Sequence, residues 1–370
     1  MRYGLSTTFA LALVASAFAT PSQPSPRQTN PFTTTPITDF DEPWSLAFLP
    51  DNRILVTEKR GQLRLVDPTT KAKGTITGVP SVAYGGQGGF GDVALHPNFA
   101  ENNLVYISYA ESGTGGAGAA VARAKLVLNT SGGGALQGLE VIWRQSQKVS
   151  ATGHYSHRIL FDGNSTMWIS SGERQAFDPA QAMTSNLGKI LRLNDDGTVP
   201  AGNPFTGTPG SQVWALGVRN PLGIAFDEQG RLWEVEMGPM GGDEINLIEK
   251  GANYGWPIVS QGDHYDGKAI PRHSTRPEFA APKAWWTPVI SPSSLIIYKG
   301  SLFSSWKGNA IISSLGALGL VRVEISGTTA REVQRISLGK RTRCVREGPD
   351  GALWVLEDGA GGRLLKLTPR

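Results

Sequence analysis

The segment HRILFDGNSTMWISSGE (residues 157–173) alternates apolar and polar residues, reverses at Asp-Gly-Asn, and then alternates again. Period-two alternation on both sides of a turn rich in Asp, Asn and Gly is typical of a β-hairpin. Long helical patterns are nearly absent from the rest of the chain. We therefore predict two antiparallel strands in this segment.

The same hairpin pattern recurs along the chain. A sheet module repeated six times is best built as a β-propeller, which leaves only short strand edges around a central channel. A large β-sandwich would accommodate the strands but not their regular spacing. We predict an all-β fold, a six-bladed β-propeller over residues 37–370. The six copies are residues 44–66, 92–110, 157–173, 222–238, 294–315 and 343–369.

The N-terminus has the features of an export signal. Arg2 precedes an apolar run, and Ala17-Phe18-Ala19 is a small-x-small cleavage site. The run is too short to span a membrane. We predict a signal peptide at residues 1–19, a flexible Pro/Ser/Thr-rich leader at 20–36, and a periplasmic or secreted protein without a membrane span.

Cysteine content and charge exclude several classes of function. Cys344 is the only cysteine, so the chain has neither an intrachain disulfide nor a cysteine metal cluster. The formal net charge of +4 comes from scattered residues without a Lys/Arg block. This pattern argues against nucleic acid as a partner, whereas a small anionic ligand is compatible with it.

Residues 86–91, GQGGFG, satisfy the G-x-G-x-x-G pattern of dinucleotide-binding loops. That motif functions between a strand and a helix inside a βαβ unit, whereas an alternating strand follows here. We therefore do not expect nicotinamide binding. The glycines let the backbone approach a neighbour closely, and Gln87 is the one polar side chain among them.

Two pairs of residues near predicted strands are candidates for binding an anion. Arg219 and Asn220 directly precede a strand, where the guanidinium could polarise a carbonyl or hold a carboxylate. Arg341 and Arg343 are two residues apart on a strand and so share a face, which suits a polycarboxylate or phosphate. The alternatives are a surface salt bridge for Arg219 and an exposed basic edge for the second pair.

The segment EMGPMGGDEINLIEKGANYGWP (residues 236–257) has the densest set of oxygen ligands. Hard oxygen ligands at a Gly/Pro turn suit Ca²⁺, although the spacing is not that of an EF-hand. An ordinary acidic loop is the alternative. The candidate ligands are Gly238, Pro239, Asp243, Glu244 and Tyr254.

Two of the five histidines lie in TGHYSHRILFDG (residues 152–163). His154 precedes the strand, in a loop where an imidazole of near-neutral pKa can act as a general base above the channel. In an alternating strand, His157 lies on the face opposite Arg158. Local hydrogen bonding by one histidine is the alternative. A two-histidine metal site is disfavoured because no third ligand is near in sequence.

Together these segments resemble the soluble quinoprotein aldose sugar dehydrogenases, which use pyrroloquinoline quinone (PQQ). The resemblance runs from about residue 43 to 370 and includes GHYSHRILFDG, VRNPLGIAF, GPMGGDEINLIEKGANYGWP and RTRCVREGPDGALWVLED. It implies a six-bladed propeller that oxidises aldose sugars at the anomeric carbon to lactones. PQQ would accept the hydride, Ca²⁺ would act as Lewis acid, and an external quinone or small redox protein would take the electrons. We expect a monomer or a homodimer.

The resemblance also implies roles for individual residues. His154 corresponds to the catalytic base, and Arg219 to the residue that polarises the reacting quinone carbonyl. The carbonyl groups of Gly238 and Pro239 correspond to ligands of the Ca²⁺ that holds the cofactor. Ligands of a second, structural Ca²⁺ correspond to Glu244 and Tyr254. The implied cofactor contacts are Gln87, His154, Arg219, Asn220, Trp286, Arg341 and Arg343.

Four positions depart from the pattern of these dehydrogenases. Gly316 stands where relatives carry a cofactor-binding lysine, for which Lys307 is a candidate replacement. Met240 and Cys344 stand where relatives often have Arg and Asp, and His157 stands where they usually have Gly. The loss of positive charges weakens a site for a polyanion.

The sequence leaves two other functions open. A Ca²⁺-dependent propeller lactonase would need carboxylate or Asn ligands converging from several blades, and the sequence shows such a cluster only near residues 243–254. A non-catalytic sugar- or protein-binding propeller that has lost its cofactor is favoured by Gly316.

Overall fold

The computed structural model describes residues 30–370, and the predicted signal peptide lies outside them. The described chain is almost entirely β-structure, which confirms the predicted all-β fold. Within it, no helix combines the length and the apolar character needed to cross a membrane. The predicted leader is wrong at residues 32–36, because they belong to a strand that pairs with the C-terminal strand. Phe32 anchors this strand in the core.

The secondary-structure elements are numbered in chain order. The strands are β1 (Phe32–Asp41), β2 (Pro43–Phe48), β3 (Ile54–Glu58), β4 (Gln62–Val66), β5 (Lys73–Thr77), β6 (Phe90–Leu95), β7 (Leu104–Gly113), β8 (Gly116–Leu128), β9 (Gly134–Arg144), β10 (Ser156–Phe161), β11 (Met167–Ser171), β12 (Lys189–Leu193), β13 (Val213–Leu216), β14 (Pro221–Phe226), β15 (Leu232–Glu236), β16 (Asp243–Ile248), β17 (Ala284–Trp286), β18 (Pro292–Ile297), β19 (Ala310–Ser314), β20 (Gly319–Ser326), β21 (Thr329–Ser337), β22 (Thr342–Glu347), β23 (Leu353–Glu357) and β24 (Ala360–Pro369). The helices of the described region are α1 (Phe99–Asn102) and four 3₁₀ turns, Asp178–Ala180, Gly210–Gln212, His273–Thr275 and Ser304–Trp306.

The strands form six four-stranded antiparallel units within residues 30–370. Five units follow chain order: β2 to β5, β6 to β9, β10 to β13, β14 to β17 and β18 to β21. The sixth consists of β22, β23, β24 and β1, so the N-terminal strand completes a unit begun at the C-terminus. The first two units join into one eight-stranded sheet through a short parallel pairing of β5 with β9.

The first strands of the six units surround a common interior. Strand β2 contacts β6 and β22, β10 contacts β6 and β14, and β18 contacts β14 and β22, so the contacts close a ring. All six first strands line one cavity of about 690 Å³ within the ring. Apolar side chains of the hairpins pack between neighbouring units; Ile159 and its cross-strand partner Ile169 belong to one such cluster. The apolar residues of the alternating pattern therefore lie on the strand faces that pack between neighbouring sheets.

Each first strand is interrupted by a bulge or register shift near its N-terminal end. Bulges re-aim side chains and are common beside functional sites. In β10 the shift lies between Ser156 and Ile159, and both His157 and Arg158 line cavities inside the ring. The expectation that these two residues face opposite ways is therefore wrong, because the bulge breaks the alternation.

Candidate active site

A second cavity, of about 370 Å³, lies at the N-terminal ends of the first strands and has the size of a small-molecule site. Three cations, Lys59, Arg341 and Arg343, and two acids, Glu42 and Asp358, are in its wall. The other lining residues are Trp44, Gly86, Gln87, Tyr155, Ser156, His157, Leu222, Met237, Ser291, Leu315 and Gly359.

His154 lies in the loop before β10, where it is buried and held from two sides. Its backbone N–H donates to the Gln87 Oε1 atom at 2.8 Å, and its Nδ1 atom is hydrogen-bonded to the carboxylate of Glu173. Burial lowers the pKa of His154, and the Glu173 hydrogen bond opposes this effect only in part. The imidazole is therefore neutral at neutral pH. With the proton on Nδ1 facing the carboxylate, Nε2 has a lone pair that can accept a proton.

Glu173 is a functional residue that the sequence reasoning missed. Besides His154, its carboxylate accepts the backbone N–H groups of Gln175 at 3.0 Å and Phe177 at 2.7 Å. Arg174, Gln175 and Phe177 all have positive φ, so this carboxylate stabilises a strained loop. The strain is maintained by the same group that orients the histidine.

A sequence signal for Glu173 exists in the repeat. A glutamate lies at the end of the second strand, or within two residues of that end, in five of the six units, at Glu58, Glu111, Glu173, Glu236 and Glu357. In the fourth unit, the Glu236 carboxylate accepts the backbone N–H of Arg219 at 2.5 Å. The glutamate thus holds residues that begin the site in the third and fourth units. The cross-strand register places Ser171, two residues before Glu173, at the position that Glu58, Glu236 and Glu357 occupy in their units.

Arg219 and Asn220 precede β14 and are both buried. The Arg219 guanidinium donates to the carbonyl oxygens of Met237 at 2.9 Å and Gly238 at 2.8 Å. Asn220 Oδ1 accepts a hydrogen bond from the Ser156 hydroxyl at 2.9 Å. Arg219 Nε and Asn220 Nδ2 are buried without a hydrogen-bond partner among the residues that the structure describes. Two buried donors at one site are therefore available to a ligand.

Aromatic side chains border Arg219. Its guanidinium carbon lies 5.1 Å from the centre of the Trp256 ring, and a terminal nitrogen lies 3.4 Å from the Tyr265 hydroxyl. Phe177 stacks on Trp256 at 5.7 Å, and both Phe177 and Tyr265 are largely exposed. The sequence reasoning did not select these aromatic residues, which come from loops far apart in the chain.

The acidic segment 236–257 divides into two environments. Asp243 is used by the backbone, because it accepts the N–H groups of Gly238 at 2.9 Å, Ile290 at 2.7 Å and Ser291 at 2.6 Å. Burial nevertheless raises the pKa of Asp243 to about 6. Asp243 therefore positions the Gly238 turn and has little capacity left for a metal.

Glu244 lies in a different environment, opposite Glu236 on the neighbouring strand and near Glu234. Burial raises the pKa of all three carboxyl groups, that of Glu236 to about 7, and repulsion by Glu236 adds to the effect on Glu234 and Glu244. Glu234 Oε1 and the Asn246 side-chain oxygen are buried without a partner among the described residues. Unpaired acceptors and repelling carboxylates fit a cation. Across residues 30–370, however, no three His, Cys, Asp or Glu side chains are arranged as a complete metal site.

The structure does not place the Tyr254 hydroxyl in this environment as a free ligand. The hydroxyl donates to the Leu247 carbonyl at 2.6 Å and accepts the Glu249 N–H at 3.0 Å. The Tyr254 carbonyl oxygen is 3.1 Å from His273 Nε2. If Tyr254 binds a cation, its backbone carbonyl is the available group.

The structure brings Arg341 and Arg343 together but places Trp286 elsewhere. Both arginines donate through Nε to the Asp358 carboxylate at 2.8 Å. The Trp286 side chain is buried in the apolar cluster between the fourth and fifth units, and its indole N–H donates to Glu332 at 2.6 Å. Trp286 does not line the 370 Å³ cavity, because β17 turns this side chain toward the neighbouring sheet.

His157 lines the cavity but has the character of a structural residue. Its ring stacks on Trp44 with centroids 5.1 Å apart, and Nδ1 is 2.7 Å from the Ser108 hydroxyl. Burial lowers the pKa of His157 to about 3, so the ring is neutral. A Cβ atom at Gly91 would overlap this ring. The glycine of the G-x-G-x-x-G segment therefore makes room for the histidine.

The protein is an all-β ring with a small-molecule site at one end of its first strands. The site contains a histidine held by a carboxylate, a buried arginine and a cationic cavity beside them. The chain belongs to the glucose/sorbosone dehydrogenase family, whose sequence model matches residues 40–366. The resemblance inferred from the sequence motifs is thereby confirmed.

Individual relatives agree with this assignment. The chain is 38% identical over 342 residues to the aldose sugar dehydrogenase YliI of Escherichia coli, covering 90% of this chain and 91% of that protein. The apo-form crystal structure of the soluble E. coli aldose sugar dehydrogenase matches with a TM-score of 0.85 at 36% identity, over 92% of this chain and 100% of that one. The PQQ-bound aldose sugar dehydrogenase of Streptomyces coelicolor matches with a TM-score of 0.75 at 26% identity, over 92% and 98%.

Proposed function

We propose that the protein oxidises aldose sugars at the anomeric carbon to lactones, with PQQ as hydride acceptor and Ca²⁺ as Lewis acid. The observation that carries this proposal is the convergence of His154 and Arg219 beside a cavity rich in cations: the Glu173 carboxylate holds the His154 ring, and the Glu173 N–H donates to the Arg219 carbonyl at 2.9 Å. A proton acceptor and a fixed positive charge are the groups that oxidation of a hydroxyl requires from the protein. The aldose sugar dehydrogenase relatives support the same reaction.

We further infer that the six four-stranded units are the blades of a six-bladed β-propeller. The closed ring of contacts among the first strands and the cavity that all six line support this inference. The pairing of β1 with β24 would then be the closure that joins the two ends of the chain in one blade. The active-site loops would lie on one face of the disc.

The residues present fit PQQ, a flat tricarboxylate quinone. Arg341 and Arg343 offer guanidinium groups in the cavity wall, and Gln87 lines the same cavity. The unpartnered Arg219 Nε and Asn220 Nδ2 atoms are buried donors of the kind that a bound acceptor oxygen satisfies. When bound, PQQ supplies the two-electron acceptor for the hydride that leaves the anomeric carbon.

The chain's own residues perform the proton chemistry. His154 Nε2 accepts the proton of the anomeric hydroxyl as the C–H bond of that carbon breaks, and the carbon–oxygen double bond of the lactone forms. Glu173 then faces an imidazolium and stabilises its charge through Nδ1–H. Arg219 provides positive charge where negative charge develops on the acceptor.

The residues also fit Ca²⁺, on the condition that PQQ is bound as well. The Gly238 carbonyl already faces the Arg219 guanidinium at 2.8 Å, so a divalent cation bound by the Gly238 and Pro239 carbonyls would be repelled by Arg219. A polycarboxylate bound beside Arg219 would offset this repulsion. Binding of Ca²⁺ at this turn should therefore be coupled to binding of PQQ. A second, structural Ca²⁺ would use Glu244 and the carbonyl of Tyr254.

Residues 1–19 support the proposal that the protein is exported to the periplasm or secreted, because they have the pattern of a signal peptide. Electrons from the reduced cofactor would then pass to an external quinone or small redox protein. A degenerate binding propeller is the second candidate function, favoured by Gly316 and Met240, which stand where relatives have basic residues.

The test is a PQQ titration of the purified protein with and without Ca²⁺, followed by dye reduction with a panel of aldoses. We expect a red-shifted absorbance that saturates, tighter PQQ binding with Ca²⁺, and dye reduction with at least one aldose. Saturable PQQ binding without turnover on any aldose would favour the binding propeller. Absence of PQQ binding under both conditions would contradict the proposal.

A further inference from the structure

Lys59 occupies a fixed position at the mouth of the 370 Å³ cavity. It directly follows β3, its N–H donates to the Glu42 carbonyl at 3.0 Å, and its carbonyl accepts the Phe90 N–H at 2.8 Å. Its side chain is only 14% exposed, and the ammonium donates to the Gly86 carbonyl at 3.0 Å. Both the backbone and the charged end of Lys59 are therefore held against the cavity wall.

The carboxylates of the cavity wall balance the charge of this ammonium only in part. Asp358 is bound by two guanidinium groups, those of Arg341 and Arg343. The nearest carboxylate oxygen to the ammonium is Glu42 Oε1 at 3.9 Å. Three cations and two acids line the cavity, so one positive charge is in excess, and the weakest ion pair is that of Lys59.

Glu42 is also shared with other groups. Its second oxygen accepts the Tyr84 hydroxyl at 2.6 Å and lies 3.5 Å from Arg60 Nε. Burial lowers the pKa of Lys59; Glu42 and Asp358 oppose this effect, and Arg343 and Arg60 add to it. An ammonium has three N–H donors, and the structure pairs one of them, with Gly86. A carboxylate entering the cavity would satisfy the others.

The other basic residues considered from the sequence do not fill this role. Lys307 is 58% exposed and lies 3.6 Å from Glu228. It does not line the cavity. A Cβ atom at Gly316 would be 2.8 Å from the Ile290 carbonyl oxygen, so the backbone there would have to move to admit any side chain. Lys59 is thus the lysine of the cavity wall.

We propose that Lys59 binds a carboxylate of the polycarboxylate cofactor at this wall of the cavity. This inference rests on the proposed function, since it names a residue that would hold the same cofactor. It predicts that the negative end of the cofactor reaches the Gly86–Lys59 side of the cavity, in addition to the Arg341–Arg343 side.

The experiment compares Lys59→Met, which keeps the alkyl chain and removes the charge, with Lys59→Arg. The dissociation constant of PQQ is measured by absorbance titration in the presence of Ca²⁺. Because a charged hydrogen bond is lost, we expect Lys59→Met to weaken PQQ binding about tenfold to a hundredfold. Lys59→Arg should stay within about threefold of the unaltered protein, since it retains a cation. Lys307→Met is the matched control outside the cavity and should bind PQQ normally.

Circular dichroism and the unfolding midpoint establish that each variant is folded. A Lys59→Met protein that is folded and binds PQQ as the unaltered protein does would overturn the inference, as would an equal loss in Lys307→Met. If the unaltered protein itself binds no PQQ, the proposed function fails, and citrate serves as the probe by calorimetry. Citrate binding weakened by Lys59→Met and not by Lys307→Met then supports a carboxylate contact at Lys59. Equal citrate binding contradicts it.

Discussion

Two buried charged clusters lie inside the ring of first strands, and they differ in how completely their polar atoms are paired. The first, the Asp92 cluster, consists of Ser45, Asp92, Arg158 and Arg346. Asp92 accepts the Ser45 hydroxyl at 2.5 Å, the Ile159 N–H at 2.9 Å, and both guanidinium groups at 3.3 Å. Burial raises the pKa of Asp92, but the two arginines outweigh it and hold that pKa below its usual value.

Arg158 completes the pairing of the Asp92 cluster. It donates to the Leu222 carbonyl at 2.7 Å and the Ser293 carbonyl at 2.6 Å, and its guanidinium lies 3.8 Å from the Trp44 ring centre. These bonds join first strands of different units. The cluster therefore cross-links the ring, and Asp92, Arg158 and Arg346 line the 690 Å³ cavity with their charges already paired.

The second cluster surrounds His154 and Arg219. Here Arg219 Nε and Asn220 Nδ2 are buried without a partner within the described residues, and His154 Nε2 is left as a proton acceptor. Leaving buried polar atoms unpaired costs stability, about 1–3 kcal/mol each. The comparison teaches that the Asp92 cluster is paired within the protein, whereas the cluster around His154 and Arg219 retains donors and an acceptor that a ligand can use.

The largest expected effect is loss of stability in Asp92→Ala. The change leaves Arg158 and Arg346 buried without a carboxylate, so we expect the free energy of unfolding to fall by about 3–5 kcal/mol. Urea denaturation followed by fluorescence measures it. Asp51→Ala, which breaks the exposed pair with Arg53, is the control and should cost at most about 1 kcal/mol. Equal stability of the two variants would contradict the assignment of a structural role to the Asp92 cluster.

A smaller effect is expected in Glu173→Gln, which keeps a side-chain acceptor for the loop and removes the charge facing His154. We expect kcat to fall about a hundredfold, because the imidazolium loses its counter-charge. PQQ affinity should change little.

The pH profile separates this positioning role from a merely structural one. His154 acts as a base when neutral, and its lowered pKa places the acid limb of kcat/KM below pH 6.5, with activity lost as the pH falls through that pKa. Because the Glu173 hydrogen bond raises the pKa of His154, Glu173→Gln should move the limb to still lower pH. A limb that moves upward, or an unchanged kcat, would remove Glu173 from the mechanism.

Sequence reasoning predicted the β-structure because alternation and turn residues are local signals. All six hairpins lie where their patterns indicated, with a first strand and a second strand in each. It also selected Arg219 and Asn220, and Arg341 and Arg343, because charged residues next to strand ends are conspicuous. In the structure, Arg219 and Asn220 are buried, and Arg341 and Arg343 line the 370 Å³ cavity.

The remainder of the site depends on features without a local signal. The bulge in β10 turns both His157 and Arg158 into the ring, and alternation cannot predict a bulge. Trp286 was selected from the resemblance alone, and its buried indole, which donates to Glu332, does not line the 370 Å³ cavity. Lys59 follows a strand in the first unit and reaches the cavity only because the ring brings that turn beside the glycine loop of the second. Such contacts between units are visible only in three dimensions.

The most direct test of the central claim is a single comparison of His154→Ala with the unaltered protein, in which PQQ affinity and aldose turnover are measured on the same samples. We predict that the dissociation constant of PQQ stays within about threefold, because the cavity cations remain. The kcat should fall by about 10²–10⁴, because a general base is lost. His96→Gln, at a buried histidine outside the 370 Å³ cavity, is the control and should retain turnover. Undiminished turnover in His154→Ala would contradict the role of His154 as the general base.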